Sequence, residues 1–151
     1  MRPPNPDRLR SNPPADNFAI AQLPGLSPQD QDLLAQSGIR TTHQLLAQAK
    51  TPVQRQALAQ KLNIHLQHVN KWVAMANLAR IPSVGIEYCG LLLHAGISTP
   101  TQLAQTPPGQ LHRQVLRLQI NMLQRPDLCP GFEEVVLWIA QARQRVEPQH
   151  K

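Results

Sequence analysis

Apolar side chains in this sequence recur at three- and four-residue spacing rather than on alternate positions, which is the period of helices and not of strands. The clearest stripe is Val69, Trp72, Val73 and Ala76, standing at i, i+3, i+4 and i+7. Leu111, Val115, Leu118 and Met122 share a second helix face, and Phe132, Val135, Val136, Ile139 and Val146 line a last one. Boundary residues agree with these stripes. Asp16 is placed to cap a short helix running through Gln22. Ser27 is an N-cap type followed by Pro28, which suits the first helical position. That helix carries Leu33 and Leu34 and stops at Gly38, placed as the glycine just past a helix end. Thr41 or Thr42 caps a helix through Leu45 and Leu46, and Thr51-Pro52 opens one with Leu58 and Leu62 a turn apart. Alternating runs are absent, so the expected fold class is all-α.

The pattern repeats. Ile81-Pro82-Ser83-Val84-Gly85 answers Leu23-Pro24-Gly25-Leu26-Ser27, and Leu91, Leu92, Gly96, Ile97, Thr99, Gln102 and Leu103 answer Leu33, Leu34, Gly38, Ile39, Thr41, Gln44 and Leu45, all at a constant separation of 58. The register then slips: Thr106-Pro107 answers Thr51-Pro52 at 55, and Trp138-Ile139-Ala140 answers Trp72-Val73-Ala74 at 66. A fixed period over many positions is the mark of a tandem duplication, and the slips predict that the copies differ by insertions inside their C-terminal helices. Trp72 and Trp138 are then equivalent core positions, each closing its copy. The layout predicted is a Pro-rich arm at 1–15 without a core, a first copy at 16–80, a second at 81–147 and a tail at 148–151.

Each copy opens on a hydrophobic-Pro-Gly-like turn between helices, and in this it resembles a helix-hairpin-helix motif. Residues 18–146 as a whole resemble a largely cyanobacterial family known as domain of unknown function 4332. The segment Lys71-Trp72-Val73-Ala74-Met75-Ala76 closes the first copy in the manner of that family, and Arg80-Ile81-Pro82-Ser83-Val84-Gly85 follows as the next hairpin. The resemblance implies two tandem helix-hairpin-helix-like repeats and brings no biochemical activity with it.

Helix-hairpin-helix turns typically hold a nucleic-acid backbone: glycines let the chain approach a phosphate, and the N–H groups of the following helix point at it. The hairpin candidates here are Gly25, Ser27, Ser83 and Gly85, so each turn retains one glycine where two are expected. The place of the usual basic residue is taken by Gln29 and by Glu87, with Asp30 and Asp32 beside the first turn. Carboxylates at a helix N-terminus stabilise the helix but repel a phosphate. A structural turn joining helices is the favoured reading of both hairpins.

Charge changes the picture modestly. The 151 residues carry a formal net charge of +6, yet only 16% of them are charged and no Lys or Arg run exists. A basic balance is compatible with an anionic partner. Most arginines of the folded region fall at or after Arg80. Arg113 and Arg117, four apart, share a helix face, and with Arg125, Arg143 and Arg145 they form the candidate basic strip. Arg2, Arg8 and Arg10 make the arm weakly positive.

Other chemistry finds little footing. His65 and His68 lie three apart, but a zinc site needs at least three protein ligands and no third is spaced to join them; no metal and no cofactor is expected. No G-x-S-x-G, P-loop or H-E-x-x-H occurs, and Glu133-Glu134 falls at a helix start, where carboxylates suit the dipole, so the chain is not expected to be an enzyme. Cys89 and Cys129 form no C-x-x-C pair. With no apolar signal-like start and no 18-residue apolar run, the expected setting is the cytoplasm without membrane insertion. The function expected is non-catalytic binding, with a protein partner favoured. Sequence-nonspecific DNA or RNA binding is the alternative, and regulation of an enzyme on another chain is a weaker one.

Overall fold

The computed structural model of the chain describes residues 17–122 and 130–146. The arm at 1–15, the tail at 148–151 and Arg125 lie outside the described residues. Within them the chain folds into a single 3-10 turn, Ile20–Gln22, and eight α-helices: α1 (Pro28–Gln36), α2 (Thr42–Gln48), α3 (Pro52–Leu62), α4 (Leu66–Ala79), α5 (Gly85–His94), α6 (Pro100–Gln105), α7 (Pro108–Met122) and α8 (Phe132–Val146). The only extended pairing among them is an isolated antiparallel bridge between Ala19 and Thr41.

The helix before Gln22 that the sequence suggests shrinks to that 3-10 turn. Residues 17–19 are instead spent on tethering the chain to the start of α2. The Phe18 amide donates to Thr42 Oγ1 at 3.0 Å, the Thr42 amide to Phe18 O at 2.8 Å and the Ile20 amide to Arg40 O at 2.9 Å. Thr42 is fully buried in consequence. A helix over the same residues would withdraw these backbone groups from α2.

Helix starts follow their capping chemistry. Thr41 and Thr51 each accept a hydrogen bond from the amide three residues on, and their own amides donate in turn to Gln44 Oε1 and Gln54 Oε1, two reciprocal capping boxes. Thr99 caps α6 through the Gln102 amide at 3.0 Å. Helix ends follow as directly. After α1, Gly38 takes φ +81°, and after α5, Gly96 takes φ +96°. The Ile39 amide then reaches Leu34 O, and the Ile97 amide reaches Leu92 O. Both ends are closed by a left-handed residue that glycine adopts without steric cost.

In packing, α4 lies against α2 and α3, and α8 lies against α6 and α7, while α4 with α5 and α5 with α7 join the two sets. The core consists of paired positions: Leu34 and Leu92, Ile39 and Ile97, Leu45 and Leu103, and Val69 and Val135 are all buried. Trp72 is 3% exposed and Trp138 0%. The two sets differ in one region. Pro52 and Pro108 both stand first in their helices, which sets their separation at 56 and makes Pro108, not Pro107, the counterpart of Pro52. Thr106 is correspondingly the C-cap of α6, its hydroxyl donating to Gln102 O at 2.7 Å, and not a helix opener. α7 has 15 residues where α3 has 11, one extra turn. The remaining extra residues stand in sequence between Met122 and Phe132, most of them outside the described residues.

Candidate functional site

The two inter-helix turns have different backbones. In the first, Gly25 holds φ +80°, Leu26 is buried, and the Ser27 side chain accepts from the Asp30 amide at 3.1 Å, which caps α1. In the second, Ser83 stands in the place of Gly25, and the left-handed residue is Gly85 at φ +54°, the first residue of α5. The turn is latched to α8: the Ser83 amide and hydroxyl both donate to Gln141 Oε1, at 2.8 and 2.7 Å, and Trp138 Nε1 donates to Ser83 O at 3.1 Å. The next two amides, of Val84 and Gly85, both donate to Ile81 O. The three consecutive N–H groups at the mouth of this turn are therefore all engaged within the protein.

Carboxylates gather at the same end of α5. Tyr88 stands one turn into the helix, its ring 5.1 Å from that of Trp138. Its hydroxyl is pushed up to about 12, first by burial and then by the neighbouring carboxylates of Glu134 and Glu87. Cys89 is fully buried, and that burial pushes its thiol up to about 11, far from the thiolate range of a reactive cysteine. His68 stacks on Trp72 with ring centroids 6.3 Å apart. Among the described residues no group of three or more His, Cys, Asp or Glu side chains is gathered as a metal ion requires.

Of the arginines singled out in the sequence, Arg113, Arg117, Arg143 and Arg145 are among the described residues. Arg113 and Arg117 are exposed on α7. Arg143, also exposed, donates from Nε to Ala104 O on α6 at 3.1 Å, and the half-buried Arg145 donates from Nη1 to Arg80 O at the end of α4 at 3.4 Å. Two residues apart on one helix, Arg143 and Arg145 point to different faces and serve the carbonyl ends of two different helices.

A different cationic group emerges in the first half. His43 and Lys50 at the two ends of α2, Arg55 on α3, and Asn77 and Arg80 at the end of α4 line a cleft of about 410 Å³ whose wall is Leu46, Ala47, Ala49 and Val73. Arg55 is fixed in it: its Nε donates to Asn70 Oδ1 at 3.1 Å, and its Nη1 to Ala49 O and Lys50 O at 3.4 and 3.3 Å. All three acceptors are neutral. The carboxylates among the described residues are Asp30, Asp32, Glu87, Glu133 and Glu134, and none lines the cleft. Charge clustering along the sequence does not reveal this group, because its members come from three helices. Departure from the repeat does: Arg55 and Leu111 are both the fourth residue of their helices.

The described residues form an all-helical protein in which the second inter-helix turn is closed on itself and a cleft between α2, α3 and α4 is lined by cations, and among them no helix is long and apolar enough to cross a membrane. Residues 24–145 match the family described as domain of unknown function (DUF4332), and the chain belongs to that family. No curated protein and no solved structure matches the chain significantly.

Proposed function

We propose that the chain is a non-catalytic binding module of two tandem helix-hairpin-helix-like units, meeting near residue 80, that engages another protein in the cytoplasm. The repeat reading is supported by the constant spacing of 58, by the matched helix ends at Gly38 and Gly96, and by the matched packing of α4 and α8.

One observation carries the choice of partner. The amides of Ser83, Val84 and Gly85 all donate inside the protein. A phosphate seated on this turn would have to displace Gln141 and meet Glu87 in the first turn of α5. A protein surface needs no such grip. The start of α8 offers it apolar area, with Phe132 49%, Val136 39% and Leu137 46% exposed. Regulation of an enzyme on another chain would be one form of the same activity.

Nucleic-acid binding is the second reading, favoured by the exposed pair Arg113 and Arg117 on one face of α7. Capture of partners from native cells, with and without nuclease, separates the two. The protein reading expects a discrete partner that survives nuclease and is lost with Val136→Glu combined with Leu137→Glu. Recovery of nucleic acid alone, or loss of every partner on nuclease treatment, overturns it.

A further inference from the structure

The two halves use an arginine for the same purpose from opposite sides. In the second half it comes from α8, where Arg143 reaches the Ala104 carbonyl. Arg143 stands 66 positions after Asn77, and Ala104 stands 58 after Leu46, so each is the counterpart of a residue lining the first-half cleft. In the first half the arginine comes from α3, where Arg55 reaches the carbonyls of Ala49 and Lys50. The α4 position is then left to the short side chain of Asn77. The place that the Arg143 side chain crosses in the second half is thereby open in the first, as the cleft of about 410 Å³.

We infer that this cleft is a binding site for a small organic phosphate. Its volume lies within the range of small-molecule sites, roughly 300–1,000 Å³. Its charge is positive. Lys50 has no carboxylate partner among the described residues, and the bonds that Arg55 makes there use Nε and Nη1, leaving the Nη2 donors to face a ligand. A guanidinium held at a fixed angle by neutral acceptors keeps its full charge and is preorganised for phosphate oxygens. The wall formed by Leu46, Ala47, Ala49 and Val73 receives the apolar body that carries the phosphate, and the Asn77 amide adds a donor or an acceptor for its polar atoms. The site is separate from the exposed start of α8, so it stands or falls independently of the protein-partner reading.

The test is an NMR titration of the intact protein with inorganic pyrophosphate. It should give saturable shifts at the amides of Lys50, Arg55 and Asn77, with little movement at Arg113 and Arg117. Lys50→Gln, at an exposed position, should weaken binding about tenfold, as loss of one charged hydrogen bond does. The decisive variant is Asn77→Arg, which adds a positive charge but fills the cleft as Arg143 does in the second half. Abolished binding supports the site. Stronger binding means that pyrophosphate responds only to net charge, and overturns it. So do absent shifts, shifts spread evenly over all arginines, or displacement by short duplex DNA but not by small organic phosphates, which would give the cleft to nucleic acid.

Discussion

Trp72 and Trp138 are both buried but carry different loads. Trp138 is fully buried, and its indole N–H holds the carbonyl of Ser83, a bond that Trp72 does not reproduce at the first turn. Trp138→Phe should therefore cost about 0.5–1.5 kcal/mol more than Trp72→Phe, the net worth of one part-buried hydrogen bond. Denaturant unfolding of the two variants checks this, and equal losses would contradict it. Tyr88 is open to a titration. Its ionisation is suppressed in the folded protein, with the hydroxyl at about 12 against an ordinary 10.0. The fold thus favours the protonated phenol, and the stability this contributes is complete below pH 10 and lost as pH rises from about 10 toward 12. Ultraviolet titration of the single tyrosine should show the raised midpoint, and Glu134→Gln should lower it; a midpoint at 10 in the native protein would contradict the placement. The burial of both tryptophans was legible in the sequence because each stands in a helical apolar stripe with similar neighbours, Val73 or Ile139 next and Ala76 or Ala142 one turn on. The Tyr88–Glu134 pair was not, since nothing local links residues so far apart in the chain.

At the scale of elements, helix boundaries were readable wherever they rest on local chemistry. Ser27, Thr41, Thr51 and Thr99 all cap as their side chains allow. Gly38 and Gly96 both take the left-handed conformation. A Cβ at Gly96 would meet nothing within 4 Å, so the cost of Gly96→Ala is conformational alone, about 1–2 kcal/mol. Thermal unfolding of this variant measures it, and an unchanged midpoint would place the residue outside the helix-end closure. Boundaries that rest on distant partners were not readable. Residues 18–20 pair with 40–42 through tertiary hydrogen bonds, which leaves only a 3-10 turn at 20–22. The start of α7 is by contrast local: a proline disfavours helical backbone at the residue before it, so Pro107 serves as the cap and Pro108 is the first helical residue.

For the whole molecule, the sequence pointed to the right material and only partly to its arrangement. The all-helical class followed from periodicity. Two arginines of the expected basic strip, Arg143 and Arg145, donate to the carbonyls of Ala104 and Arg80. A cleft lined by Lys50, Arg55 and Arg80 gathers cations from three helices, which no run of charge in the sequence announces. What makes the two halves distinct is where each places one arginine, and what makes the second turn unlike a phosphate grip is the latch formed by Gln141 and Trp138. The central claim, that the chain engages a protein and does not grip a nucleic-acid backbone, is tested most directly by fluorescence anisotropy with short duplex DNA across a salt series. The account predicts weak binding at physiological salt, in the range of roughly 10⁻⁴–10⁻⁶ M for nonspecific contacts, with the salt slope reduced by Arg113→Ala and Arg117→Ala together and unaffected by Gln141→Ala. Nanomolar affinity of the native protein at that salt would contradict it.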